Sequence, residues 1–524
     1  MKLLSPERMV QYDGFAIHKW GIPSSVLMEN AGRTTYRLTK ELYLTGKKRL
    51  LIVCGRGNNG GDGFVVARYA LRDGYETVVA LLGRMKDLKG DAALNMRLYL
   101  SIGGRILECP DNINSLKREL TNADIIIDAI FGTGLSKPVS GVEKKAIDEI
   151  NSSQKPVIAV DIPSGLDGTK GIPLGSAINA THTFTYGYPK PGQILYPGAS
   201  HTGRLTVVDI SLPEIAEKSL GIDGHVVDGQ MLRRILKQRI PWSHKGTYGH
   251  VAVIAGSPGK TGAAHMASMA ALKIGAGLVT LLIPARLNDI MEVKLTEVMT
   301  YPVKDRGTGF FMLSSYDEII EVLKDKDVII MGPGLSQNSE TMELVRKLYT
   351  TVTKPFVIDA DGINAFQRHT GIIKKAKGDA IFTPHPGEFS RITGMPIHDI
   401  NSDRVGAGRN FIKQYGATLV LKGARTIIFD SKGDIFINPT GNQSLAKGGS
   451  GDILTGLIGG ILSQGYTPVE ASILGTYLHG YIADSWIEEY TDMDLLACDM
   501  LNRLGETLRA IKDGKDRIYI EKSL

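Results

Sequence analysis

Strand-like and helix-like segments alternate along the chain, the strands are nearly continuous apolar runs, and glycine clusters sit where strands end. These observations predict an α/β protein of parallel sheets covered by helices on both faces. The chain has 524 residues, and at roughly 100–200 residues per domain two or three domains are expected. Glycine is the compositional outlier at 61 of 524 residues, about 12% against a usual ~7%. No Gly-X-Y period accompanies it, which excludes collagen. The clustering between apolar runs points to phosphate-type turns rather than linkers.

In the first half, an amphipathic helix is predicted over 23–44 and a buried strand over Leu50–Cys54. A helix at 64–73, strands at 77–82, 125–130, 157–161, 181–186 and 205–210, and a helix at 142–151 follow. The pattern weakens over 215–240, where a short basic helix is predicted at Leu232–Arg239. The domain boundary falls there, giving expected domains 1–218 and 225–524. Alternation then resumes, with strands at 250–255, 278–283, 327–331, 356–359, 380–383 and 418–421. Helices are predicted at 263–274, 403–415, 452–463 and 468–486. The second half is therefore a second α/β unit with its own core.

The 61 Lys and Arg exceed the 55 Asp and Glu by a formal +6. So mild an excess does not demand nucleic acid, and it suits an anionic substrate such as a nucleotide. Cys54, Cys109 and Cys498 lie far apart, without metal-ligand spacing, so no disulfide framework is expected and a reducing compartment is. The first residues do not read as a signal peptide, and no run approaches ~18 apolar residues. A cytoplasmic protein without membrane or nucleic-acid partners is expected, as a homo-oligomer.

Gly55-Arg-Gly57-Asn58-Asn59-Gly60-Gly61-Asp62-Gly63 follows the first strand and precedes a helix. Gly55, Gly57 and Gly60 formally satisfy the dinucleotide fingerprint. A redox cofactor is disfavoured because Gly61 and Gly63 prolong the loop, polar side chains stand where backbone alone suffices, and Glu76 precedes its strand. Two later strand ends carry matching turns: Asp128-Ala-Ile-Phe-Gly132-Thr-Gly134 and Asp161-Ile-Pro-Ser164-Gly-Leu-Asp167. Carboxyl ends of parallel strands form the ligand crevice of an open sheet, and Asn, Asp and Ser oxygens there can hold a hard monovalent or divalent cation.

The second chemical signature is Asn438-Pro-Thr-Gly441-Asn442-Gln443-Ser-Leu-Ala-Lys447-Gly448-Gly449-Ser450-Gly451-Asp452, running into a helix. Small residues at a helix N-terminus aim backbone N–H groups at an anion, and Asp452 in the first turn can take a proton from an attacking hydroxyl. That is the logic of ribokinase-type phosphoryl transfer. Gly332-Pro-Gly334, Asp359-Ala-Asp361, Thr383-Pro-His385-Pro-Gly-Glu388 and the cationic hairpin Lys422-Gly423-Ala424-Arg425-Thr426 also follow strands. A Walker loop is excluded, because Gly259-Lys260-Thr261 requires glycine where Ile254 stands.

Leu27-Met-Glu29-Asn30-Ala-Gly32, the Gly-Asn-Asn-Gly-Gly-Asp-Gly loop and the Asp128 and Asp161 turns resemble the NAD(P)H-hydrate epimerase family. The resemblance implies a Rossmann-like three-layer fold whose dinucleotide is a damaged substrate rather than a cofactor. It implies substrate contacts at Asn58, Asn59, Gly60, Gly61, Asp62, Gly132, Thr133, Gly134, Leu135, Ser136, Lys137, Pro138 and Asp161, and a potassium ion at Asn59, Asp128 and Ser164. Asp161 is the candidate acid/base on position and chemistry.

His244-Lys-Gly246-Thr-Tyr-Gly249, Thr261-Gly-Ala-Ala264, Gly332-Pro-Gly334, the His385 turn and Lys447–Gly456 resemble the ADP- or ATP-dependent NAD(P)H-hydrate dehydratase family. That resemblance implies a ribokinase-like α/β domain. Substrate would meet Ala263, Gly334, His385 and Asp452, and ADP or ATP with magnesium would meet Lys422, Gly423, Ala424, Arg425, Thr426 and Gly451. Together the two resemblances imply a bifunctional isomerase and lyase of metabolite repair. It would interconvert the C6 epimers of hydrated NADH or NADPH and dehydrate the S form through a phosphorylated intermediate. The alternative is a ribokinase-type small-molecule kinase with a dinucleotide-binding regulatory domain, and a non-catalytic dinucleotide sensor is a third possibility.

Overall fold

The structure is a computed structural model that describes every residue except Glu214 and Leu524. It divides into two compact units, one of Lys2–Gly224 joined by the stretch from Ile518, the other of His225–Arg517 with Met1. The division at 224/225 falls in the expected 215–240 zone. The expected second span, 225–524, instead closes at Arg517, because strand Glu521–Ser523 pairs with the sheet of the first unit.

The first unit opens with α1 (Pro6–His18) and α2 (Ser24–Tyr43). Strand β1 (Arg49–Cys54) leads into α3 (Asn58–Arg72), followed by β2 (Glu76–Leu81) and β3 (Arg105–Glu108). The chain then crosses to β4 (Ile125–Ala129), β5 (Val157–Val160), β6 (His182–Tyr186) and β7 (Arg204–Val208). The sheet order is 521–523, β7, β6, β5, β4, β1, β2, β3, and each pairing is parallel. Progression reverses between β1 and β4, so the loops leaving those two strands open a crevice at their carboxyl ends. Apolar clusters cover both faces, one around Ile52, Phe64 and Phe184, the other around Val53, Leu116 and Ile147.

The helix predicted from residue 64 begins at Asn58, so the glycine cluster forms its first turns. The cause is packing. A Cβ on Gly63 would stand 2.7 Å from both Ala129 Cβ and Cys54 Sγ, so only glycine lets α3 lie this close to β1 and β4. The basic helix predicted over 232–239 runs instead from Gly229 to Ile235, started by Asp228, whose carboxylate accepts from Met231 N at 2.8 Å.

In the second unit, β8 (Gly224–Val226) precedes β9 (His250–Ile254), α4 (Thr261–Lys273), β10 (Leu278–Pro284) and β11 (Met299–Val303). The chain then passes through β12 (Val328–Met331), β13 (Phe356–Ile358), β14 (Ala380–Phe382), α5 (Pro386–Thr393), α6 (Arg404–Tyr415) and β15 (Thr418–Leu421). Strands β16 (Ile427–Phe429) and β17 (Ile435–Ile437) precede helices α7 (Ser450–Leu462) and α8 (Pro468–Glu489). The order β8, β17, β16, β15, β14, β13, β12, β9, β10, β11 again reverses beside the first long strand, between β9 and β12. Strands β9 to β15 are parallel, and β15, β16 and β17 form an antiparallel meander.

Helix α7 is sandwiched closely. Side chains at Gly456 and Gly460 would collide with carbonyl oxygens of Ala267 and Ala271 on α4, and one at Gly459 would collide with Ile330 of β12. These glycines seat the N-terminus of α7 at the carboxyl ends of the central strands.

The C-terminal strand is tied to β7 by Arg204 Nη2 donating to Glu521 at 2.7 Å and Thr206 Oγ1 donating to the same carboxylate at 3.0 Å. A chain ending at Arg517 exposes the edge of β7. It is expected to lose on the order of 2 kcal/mol from the first unit, read as a lower melting transition for that unit, at about 0.5–1.5 kcal/mol per hydrogen bond.

Candidate active sites in the two units

In the first unit a cavity of about 710 Å³ opens over the β1/β4 reversal, within the 300–1,000 Å³ usual for small-molecule sites. Its wall brings together Asn58, Asn59, Asp62, the turn Gly132–Lys137 and Asp161, as expected from the sequence. Gly60 and Gly61 face into the protein. A Cβ on Gly60 would collide with the Gly55 carbonyl, and one on Gly61 would stand 2.6 Å from the Met28 methyl. Their role is to let the loop pack, while Asn58, Asn59 and Asp62 present the chemistry.

Asp161 ends β5 in a left-handed conformation, φ 64°, which is rare for a residue with a Cβ and often marks a functional position. Several groups hold it there. Lys190 Nζ donates to its Oδ1 at 2.6 Å, Tyr186 N at 3.1 Å and Thr185 Oγ1 at 3.3 Å, while Gln193 Nε2 holds its carbonyl at 2.7 Å. Lys190 is 1% exposed and also donates to Thr185 Oγ1 at 2.8 Å and the Tyr186 carbonyl at 3.2 Å. Sequence reading missed Lys190. Its only signal was a lysine between two prolines, Pro189 and Pro191.

Two further carboxylates line the same wall, Asp62 from α3 and Asp13 from α1. Burial holds Asp62 well above the usual carboxylate range, and Asp161 and Asp13 raise it further. Beneath the cavity, Asp128 is fully buried. It accepts from Ser164 Oγ at 2.5 Å, Ser164 N at 2.8 Å and Ile130 N at 3.3 Å. Burial pushes its carboxyl up to about 6, against those three hydrogen bonds. Asn59 is buried beside Gly132, and its Nδ2 has no partner among the described residues.

In the second unit, Asp452 stands in the first turn of α7 after Gly449, which enters the helix at φ 93°. Burial raises the Asp452 carboxyl to about 7; Asp359 and Glu388 add to the rise and Lys422 opposes it. Asp359 sits at the end of β13. It accepts from Lys422 Nζ, Thr383 Oγ1 and Thr455 Oγ1, each at 2.7 Å. Lys422 also lies 3.8 Å from Glu388, and Gly451 passes close by, its Cβ position 3.5 Å from Nζ. The ammonium of Lys422 is thus turned inward, into the carboxylates around Asp452.

His385 caps α5. Its Nδ1 accepts from Gly387 N at 3.0 Å, and its ring lies 3.4 Å from Glu388, which ties it to the same network. Ala263 and Gly334 meet at the β9/β12 reversal, where the Cβ position of Gly334 is 3.2 Å from Ala263 Cβ. The hairpin 422–426 is shaped from beneath by buried Arg404 of α6. Its guanidinium donates to the carbonyls of Ala424 at 2.8 Å, Arg425 at 3.0 Å and Leu421 at 2.9 Å. Sequence reading picks out Asp359 at its strand end, but Arg404 carries no distinctive sequence signal, because a helical Arg is ordinary without its partner.

Two α/β units, one with a carboxylate-bearing cavity at its reversal point and one with a half-buried Asp in a glycine-started helix turn, define a two-site α/β enzyme. The family model described as YjeF-related protein N-terminus matches residues 24–192, and that described as NAD(P)H-hydrate dehydratase matches residues 251–505. A bifunctional NAD(P)H-hydrate repair enzyme of Moorella thermoacetica is 40% identical over 99% of this chain and 98% of its own length. That of Thermofilum pendens is 35% identical over 98% and 97%. A solved ADP/ATP-dependent NAD(P)H-hydrate dehydratase of Bacillus subtilis is 30% identical and covers 55% of this chain and 99% of its own, with a TM-score of 0.49. The chain belongs to the family of bifunctional NAD(P)H-hydrate repair enzymes.

Breaking the Lys190–Asp161 pair leaves a buried charge without its partner. Lys190→Met is expected to lower the stability of the first unit by about 3–5 kcal/mol, measured by urea unfolding followed by circular dichroism.

Proposed function

We propose that the first unit interconverts the two C6 epimers of hydrated NADH or NADPH, and that the second removes water from the S epimer by way of a phosphorylated intermediate. The observation that carries the second activity is Asp452. It is a half-buried carboxylate with a proton affinity near neutrality, placed beside the N–H groups of a helix start. Such a group suits a general base at neutral pH. Asp452 takes the proton of the ring hydroxyl as its oxygen attacks the terminal phosphorus of ADP or ATP. The first-turn N–H groups and the positive end of α7 offset the charge spreading over the phosphoryl oxygens. Phosphate then leaves where hydroxide would not, and a proton is lost from C5, which restores the dihydronicotinamide.

Lys422, Gly423, Ala424, Arg425, Thr426 and Gly451 form the nucleotide side of this site, and Ala263, Gly334 and His385 the hydrate side. Both oxygens of Asp359 are already engaged by Lys422, Thr383 and Thr455. A magnesium ion would be held mainly by the nucleotide phosphates and water rather than by Asp359, and would neutralise phosphate charge.

In the first unit Asn58–Asp62, Gly132–Pro138 and Asp161 form the dinucleotide side. Potassium fits beneath it. Asp128 is a buried carboxylate, and Ser164 Oγ, 3.2 Å from the Phe131 carbonyl, and the Asn59 amide oxygen beside Gly132 stand nearby. A weakly hydrated monovalent cation held by Asn59, Asp128 and Ser164 supplies a countercharge and a fixed positive field under the turn that meets substrate.

Four outcomes are expected. Asp452→Asn lowers nucleotide-dependent recovery of reduced-nicotinamide absorbance by about 100-fold or more. In the unaltered protein kcat/KM for dehydration rises with pH through about 7, as Asp452 loses its proton. Lys422→Gln removes the charge that opposes the rise, so this limb moves to higher pH. Potassium raises the melting temperature of the full chain relative to choline, and Asp128→Asn abolishes that increment.

A further inference from the structure

We propose that Asp13 is the second catalytic carboxylate of the first site, working with Asp161 to invert the hydroxyl-bearing carbon. The inference rests on the epimerase reading above.

Asp13 comes from α1, an element in which sequence reading placed no site residue. Its side chain lines the same cavity as Asp161, Asp62 and Lys190. Its Oδ1 is shut off from solvent and has no hydrogen-bond partner among the described residues. A buried carboxylate oxygen without a partner is costly unless a ligand supplies one. Burial pushes the Asp13 carboxyl up to about 6; Asp161 adds to the rise and Lys190 opposes it. Asp13 thus holds a proton more readily than an ordinary carboxyl, whereas Asp161 is locked against the Lys190 ammonium at 2.6 Å. The two carboxyls occupy different elements and different electrostatic settings, the arrangement that separates an acid from a base.

The substrate carbon bears a hydroxyl and is bonded to the ring nitrogen. Asp13 gives its proton to that hydroxyl as the C6–O bond breaks. Water departs and the nitrogen lone pair closes a C=N bond. The newly ionised Asp13 and the Asp161 carboxylate stabilise the resulting ring cation. A second water adds to the opposite face, the C=N pair returns to nitrogen, and Asp161 takes the surplus proton. One water leaves and one enters, with no change of oxidation state, and solvent exchange resets both carboxyls. From the other epimer the two groups exchange roles.

The test uses the full chain without nucleotide, supplied with the R epimer of hydrated NADPH, and follows the S epimer by chromatography. Asp13→Asn is expected to lower kcat by about 100-fold or more with KM changed less than about threefold, and Asp13→Glu to recover part of the loss. The melting temperature of Asp13→Asn stays near that of the unaltered chain, and its nucleotide-dependent dehydration of S epimer is unchanged. In oxygen-18 water the new epimer carries the heavy oxygen. Asp13→Asn with kcat near wild type, a change in KM alone, loss in both variants with a lowered melting temperature, or an unlabelled product overturns the assignment. If the unaltered chain forms no S epimer, the epimerase reading itself falls.

Discussion

In each unit a lysine ammonium is drawn out of bulk water against an aspartate at the end of a parallel strand, Lys190 on Asp161 at 2.6 Å and Lys422 on Asp359 at 2.7 Å. Taking both charges from water is unfavourable unless their geometry is good and their remaining hydrogen bonds are filled. Both conditions are met. Lys190 finds Thr185 and the Tyr186 carbonyl, and Asp359 finds Thr383 and Thr455. Each pair therefore pins the segments that build its site. Lys190 fixes the Pro-rich turn against β5 and β6, and Lys422 fixes the hairpin against β13 and the first turns of α7.

The pairs also set the proton affinities around them. Burial and the charge of Asp161 raise both Asp62 and Asp13, and the Lys190 ammonium is already engaged by Asp161, so their protons are held. Asp452 has the same standing relative to Lys422: burial, Asp359 and Glu388 raise it and the lysine opposes them. The first site gathers Asp13, Asp62 and Asp161 on one cavity, where release of the Asp13 proton sets a second negative charge beside the ring. The second sets Asp452 beside the start of α7, whose N–H groups favour an anion. The two chemistries follow from different groups set at the same topological position, the reversal point of a sheet.

The glycines that drew attention in the sequence divide between two tasks. Gly63, Gly456, Gly459 and Gly460 bring helices onto sheet or helix more closely than any Cβ permits. Gly449 supplies the positive φ from which α7 starts. A chain that must place a helix N-terminus at strand ends needs both, and this is why the excess of glycine falls at strand–helix junctions.

The alternation of apolar runs and amphipathic segments determined, without coordinates, that the chain forms two α/β units, that the boundary lies near residues 215–240, and that Asn58–Asp62, Asp161 and Asp452 stand at strand or helix ends. Those features are local: a period, a cap and a glycine turn are each written in neighbouring residues. Tertiary structure alone decided which distant groups meet. Asp13 and Lys190 reach Asp161 from elsewhere in the chain, Arg404 reaches the hairpin 422–426, and strand 521–523 completes the sheet of the first unit instead of the second. Nothing in a single sequence ranks one aspartate or lysine above another until burial removes water and leaves each charge to the partners that folding provides.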